Sequence, residues 1–92
     1  SAASDLYKRQ QNKSLEIYEC LLEANRTDIK AYKRERLELQ TRAITHCDEL
    51  LYYIELSNSL GLINIKCVGH WSKMVCDVKH MAIAWRTKDK ER

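Results

Sequence analysis

Proline is absent from the 92 residues, phenylalanine is absent too, and glycine occurs only as Gly61 and Gly69. Without proline, no helix has to break or kink from within. Two glycines leave little material for the tight turns of a β-rich fold, and none for a glycine-rich loop that cradles phosphates. No apolar run approaches the roughly 20 residues of a membrane span. Nor is there a basic-then-apolar leader, so nothing argues for secretion. The interior has to be filled by Leu, Ile, Tyr and Trp. With 32% charged and 45% apolar residues, the composition predicts a soluble all-α chain forming one small domain over residues 1–92. A core of that size is marginal unless partners extend it.

The last helix organises the rest. Val68, Trp71, Val75, Val78, Ala82 and Trp85 recur at alternating steps of three and four, the period of one helical face. Cys67, Met74 and Met81 widen that stripe beyond what one neighbour covers. Two tryptophans in a stripe supply large areas to bury, and core packing rather than cofactor stacking is their expected role. Upstream, periodicity predicts helices over about 5–25 and 28–60, with the last over about 65–86. Ser4 is the expected N-cap of the first, Thr27 of the second and Asn64 of the third, while Gly61 fits the left-handed position after a helix end. Ser1–Ser4 and the apolar-free tail Arg86–Arg92 are expected to fray. Short turns predict an antiparallel helical bundle.

Cys20, Cys47, Cys67 and Cys76 occupy core-like helical positions, not a framework of loops. They read as reduced, buried thiols of a cytoplasmic protein. Cys67, His70, Cys76 and His80 are zinc-ligand residue types at ligand-like gaps. However, at 100° per residue Cys76 lies about 180° around the helix from Cys67, so one helix cannot wrap all four onto one ion. His46 and Cys47 are sequence neighbours, and such neighbours on a helix do not face each other, so no nucleophile pair is implied. Glu16, Glu19 and Glu23 make a carboxylate row that reads as a solvated face. No catalytic residue, metal site or cofactor is expected.

Charge is the remaining signal. The net +3 is unevenly placed: residues 1–25 sum to −1, 26–42 to +3, 43–65 to −3 and 66–92 to +4. Lys30, Lys33, Arg34, Arg36 and Arg42 on the second helix, with Lys73, Lys79 and Arg86 on the third, are the candidate phosphate contacts. Such rows neutralise a nucleic-acid backbone without any sequence motif. Tyr32, Tyr52 and Tyr53 lie among these segments as candidate base-stacking groups, with packing the expected role for at least two.

The run from Glu38 to His46 is followed by Asp48–Ser57, Leu60–Ile63, His70-Trp71, Val75, Val78 and Trp85-Arg86. Together these resemble the accessory variability proteins of diversity-generating retroelements. They also resemble the four-helix-bundle relatives of that family, including proteins encoded in ribosomal-RNA intervening sequences. Ile17–Asn25 fits the family's second helix, and the resemblance covers about residues 6–88. Its matching positions are mostly core-packing ones. The family has four helices, and this chain shows three, matching the second, third and fourth, which would leave a groove open beside the apolar stripe.

The resemblance implies a non-catalytic protein that assembles as a ring, a homopentamer in the best-known members. It would bind the element's reverse transcriptase and its structured template RNA, or an RNA–DNA hybrid. Five copies of a +3 chain carry +15, and avidity would turn weak phosphate contacts into useful binding. His70 and Trp71 match the family's last-helix motif and are read as structural. The competing expectation is a helical protein–protein interaction scaffold whose groove receives a partner helix and whose charge only solubilises it.

Overall fold

The computed structural model describes residues 1–92 as three α-helices with no strand: α1 (Ala2–Arg26), α2 (Lys33–Ser59) and α3 (Ile65–Lys90). Each is about 40 Å long at 1.5 Å per residue. Contacts run in opposite senses along neighbouring helices. Gln10 Nε2 of α1 donates to Ser57 Oγ of α2 at 2.6 Å, and Arg36 Nη1 near the start of α2 donates to the Thr27 carbonyl at 3.1 Å. Arg86 Nε on α3 donates to Thr41 Oγ1 at 2.8 Å, and Lys79 pairs with Asp48 at 2.6 Å. Both pairs are therefore antiparallel.

Several helix ends differ from the expectation. Helix α1 is capped three residues earlier than predicted, by Ser1 instead of Ser4, because the Ser1 hydroxyl accepts from the Ser4 amide at 3.3 Å and Ala2-Ala3 are strong helix formers. Thr27 closes α1 instead of opening α2: its hydroxyl donates to the Glu23 carbonyl at 2.7 Å. The Asp28 carboxylate then accepts from the Ala31 amide at 2.9 Å, a local bond that competes with helix, and α2 begins only at Lys33. The other two signals behave as expected. Gly61 has φ 69°, Leu62 N–H donates to the Ser57 carbonyl at 2.9 Å and Gly61 N–H to that of Asn58 at 3.0 Å, which closes a Schellman motif. Asn64 Oδ1 caps α3 by accepting from the Lys66 amide at 2.8 Å.

The helices lie as a bent layer, 47 × 22 × 13 Å, with α2 in the middle. Both α1 and α3 pack on α2 and barely meet each other. Ile17, Cys47, Leu50 and Ile54 form the core, and Leu21, Ile63, Val68, Val75 and Val78 pack against it. The α3 stripe is thus covered along its α2-facing edge, with Ala82 fully buried. Its other edge is open: Met74 is 53% exposed, Met81 56% and Trp71 37%. The chain forms three antiparallel helices, and none is long and apolar enough to cross a membrane.

The tail is the clearest departure. Residues 86–90 continue α3, and Asp89 has no exposed surface. Polar contacts hold this turn where apolar ones are lacking. Arg36 Nε and Gln40 Nε2 each donate to Asp89 Oδ2 at 2.7 Å, and Lys33 Nζ donates to the Lys90 carbonyl at 3.0 Å.

The two glycines predict opposite responses to alanine. Gly61→Ala forces a Cβ into the left-handed region and should cost about 1 kcal/mol. Gly69→Ala, inside α3 with nothing near its Cβ position, should stabilise by about 0.5–1 kcal/mol. Urea denaturation reads both; a stabilised Gly61→Ala would refute the C-cap assignment.

Candidate nucleic-acid interface

The antiparallel order brings the end of α1, the Thr27–Tyr32 turn, the start of α2 and the end of α3 to one end of the layer. Residues 26–38 and 86–92 meet there, and each segment sums to +2. That end therefore holds +4 against −1 for the rest of the chain. Part of it lies outside the eight candidate contacts. Lys88, Lys90 and Arg92 join the second helix's basic row because Lys33 reaches the Lys90 carbonyl and Arg92 lies 3.8 Å from Asp89. The antiparallel return of α3 along α2 was the signal that could have found them.

The eight candidate contacts fall into distinct groups. Lys33, Arg34 and Arg86 line one shallow depression with Leu37 and Glu38. Arg34 is highly exposed and loosely paired with Glu38 at 3.3 Å. Lys30 is exposed in the turn beside this depression, and Arg42 is exposed further along α2. Neither makes a side-chain hydrogen bond or ion pair. Lys73 and Lys79 stand apart toward the middle of α3, paired with Asp77 at 3.0 Å and Asp48 at 2.6 Å. The hydrogen bond to Asp48 holds the Lys79 ammonium above its ordinary pKa.

Arg36 belongs to the inside. Its side chain is 12% exposed and its guanidinium lies 4.9 Å from the Trp85 ring centroid while bonded to Asp89 and Thr27. Trp85 thus packs as expected, against a cation in place of an aliphatic neighbour. Burial pushes the Asp89 carboxyl up, but hydrogen bonds from Arg36 and Gln40 outweigh it and hold Asp89 below the usual carboxylate range. Gln40 Oε1 and Asp89 Oδ1 accept no hydrogen bond. Of the tyrosines, only Tyr32, 58% exposed in the turn, adjoins the basic depression. Tyr52 and Tyr53 lie toward the opposite end of α2, edge to face at 5.8 Å, with Arg9 over Tyr53 at 6.0 Å.

The other titratable groups serve packing. Lys13 on α1 bonds Glu49 at 2.9 Å and Glu16 at 3.0 Å, and His46 Nδ1 lies 3.1 Å from Glu49. The bonds to Glu49 and Glu16 raise the Lys13 pKa, and the bond from Lys13 lowers that of Glu49. This cluster ties α1 to α2 at one register. Burial pushes the Cys47 thiol up to about 11 and raises that of Cys20, which makes both poor nucleophiles. Cys67 is exposed, against the expectation of burial, and all four thiols are free. No three His, Cys, Asp or Glu side chains converge on a point that would hold a metal ion.

The Arg36–Asp89 pair generates a prediction in two parts. Arg36→Met leaves Asp89 buried without its cation. The cost should be about 2 kcal/mol, below the ~3–5 of a fully enclosed pair, because the last turn of α3 can undock. Hydrogen exchange should show lost protection concentrated in residues 86–90. Because the folded Asp89 pKa is depressed, its stabilisation is present above the unfolded value near 4 and disappears as pH falls through the lower folded value. Asp89→Asn should therefore be less stable at pH 7 and lose less stability than wild type between about pH 4 and pH 2. Parallel pH curves for the two proteins would refute the pairing.

Comparison of the chain with protein-family models, with curated proteins and with solved structures gives no match.

Proposed function

We propose that this chain is a non-catalytic, nucleic-acid-binding accessory subunit, and that the basic end built from α2 and α3 is its contact surface. The observation that carries this reading is the gathering of Lys33, Arg34 and Arg86, 53 positions apart at the extremes of Lys33 and Arg86, around one open depression. Arg36 and Asp89 sit beneath that end and hold the two helices together there. Phosphates are the ligand such a surface suits: it offers several cations and no arrangement for reading base edges. Specificity would come from RNA shape or from a protein partner.

The retroelement setting rests on the resemblance of residues 38–63 and of the His70-Trp71 segment to the accessory variability proteins. On that basis the ligand is a structured template RNA or an RNA–DNA hybrid, and the protein partner is a reverse transcriptase. The subunit would act as one copy of a ring that supports mutagenic reverse transcription from the cytoplasm. A second reading, a helical interaction scaffold without nucleic-acid binding, is favoured by one separate observation. The groove between α1 and α3 is open beside Ala3–Ile17 and Trp71–Val78, and its lining there carries no charged side chain.

Charge reversal separates the two. Lys33→Glu/Arg34→Glu/Arg86→Glu, which spares the structural Arg36, should weaken binding of a structured RNA hairpin at least tenfold at 50 mM salt. It should also reduce the log–log salt slope by about 2, since each phosphate contact contributes roughly 0.7–0.9. Fluorescence anisotropy at 50 and 200 mM salt measures both. Wild-type protein that ignores the hairpin at 50 mM salt, or a triple variant that binds like wild type, would sink the nucleic-acid reading and leave the scaffold.

A further inference from the structure

Cys67, Trp71, Met74, Val78, Met81 and Trp85 follow one another along α3 at steps of 4-3-4-3-4. This is the a/d repeat of a coiled-coil seam, unbroken by charge over six positions. It flanks the edge that packs on α2, where Val68, Val75, Ala82 and Asp89 recur every seven residues, and it shares Val78, against the core, and Trp85, against Arg36, with that side. Only Ala82 and Asp89 of α3 are fully buried. Trp71, Met74 and Val78 of the seam line the groove between α1 and α3, whose floor is Cys47, Leu50 and Ile54 and whose far wall includes Tyr7 and Ser14.

We propose that α3 pairs antiparallel with α3 of a second copy, each helix seated in the other copy's α1–α3 groove. Three features of the chain itself select a second copy as the occupant. First, the seam is compatible with its own reversal. An antiparallel register sets Trp71 against Met81, Met74 against Val78 and Cys67 against Trp85, so each layer combines a larger side chain with a smaller or more flexible one. A parallel pair would instead oppose Trp71 to Trp71 and Trp85 to Trp85, overfilling those layers.

Second, the direction fits. α1 and α3 run the same way and α2 runs oppositely, so an antiparallel α3 in the groove continues the up–down alternation and neighbouring helix dipoles oppose one another. Third, the area is sufficient. Trp71, Met74, Met81, Tyr7 and Tyr18 are each 37–61% exposed. Together they leave on the order of 600 Å² open per copy, which with the exposed Cys67 and the groove floor approaches the ~800 Å² per partner of a standard stable interface. Tyr18 shares the groove side of α1 with Tyr7 and Ser14 by helical spacing. The pairing is two-fold and closes at two copies, so it is separate from any ring contact; it needs no nucleic acid and stands independently of the RNA-binding reading.

The two methionines of the chain are Met74 and Met81, so methyl-labelled methionine places one reporter at each of two seam positions. Sedimentation velocity from 1 to 100 µM, with methyl spectra over the same series, should show self-association and a concentration-dependent shift of both methionine signals. Met74→Glu/Met81→Glu should weaken self-association at least 100-fold while circular dichroism stays helical. Leu15→Glu, at another exposed apolar site on α1, should leave the association unchanged. A chain that stays monomeric at 100 µM overturns the proposal. So does an assembly of any size in which both methionine signals stay fixed on dilution. If the double variant fails to fold, the wild-type methyl series decides by itself. RNA binding by the monomeric double variant would separate the fate of this pairing from that of the basic end.

Discussion

Everything in this molecule depends on α2 being approached closely from two sides. Ala43 and Cys47 on α2, Ala24 on α1 and Ala82 on α3 have no exposed surface at all. Side chains this small let the helix backbones come near one another, so that Ile17, Leu50 and Ile54 can meet across the gap. Because α1 and α3 both use α2 and scarcely touch each other, the result is a layer with a concave side. The core is correspondingly thin for a chain of this length, and the apolar residues left over lie along the α1–α3 groove.

Where apolar burial is thin, polar contacts set the geometry. Gln10 on Ser57, the Lys13–Glu16–Glu49–His46 cluster and the Arg36–Asp89–Gln40 network lie at successive heights along the layer and define its register. These interactions specify more than they stabilise. A buried ion pair returns little net free energy after desolvation, yet loss of one partner leaves the other stranded. The Asp89 network is the sharpest case. It holds the last turn of α3 against the start of α2, and so keeps Lys33 and Arg86 on one depression.

Charge and apolar surface are also separated in space. The cations gather at one end of a 47 Å particle, whereas the uncharged groove lies toward the other, beside Ala3–Ile17 and Trp71–Val78. A subunit built this way can associate through its groove side and still present its basic end, and copies joined through the groove would multiply the phosphate contacts available to one nucleic acid. The two surfaces share α2 and α3. Helix α2 supplies Lys33 and Arg34 to the basic end and Leu50 and Ile54 to the groove floor, while α3 supplies Arg86 to the basic end and the heptad seam to the groove.

The sequence alone determined the three helices, the all-α class, the Gly61 stop, the Asn64 cap and the uneven charge, because each is written in local spacing or in a residue's own conformational preference. Periodicity also located the α3 stripe. It could not say how much of the stripe a neighbour covers, because spacing reports which residues share a face and not whether anything lies opposite. Thr27 and Asp28 looked like a helix start because the same side chains that cap a helix also close the preceding one. Arg36 looked like a surface cation and the tail looked frayed for a related reason: Arg36 and Asp89 are 53 residues apart, and only the antiparallel packing of α3 on α2 brings them into contact. The tertiary structure alone decided which cations face solvent, and it did so through pairings between distant residues that no local pattern encodes.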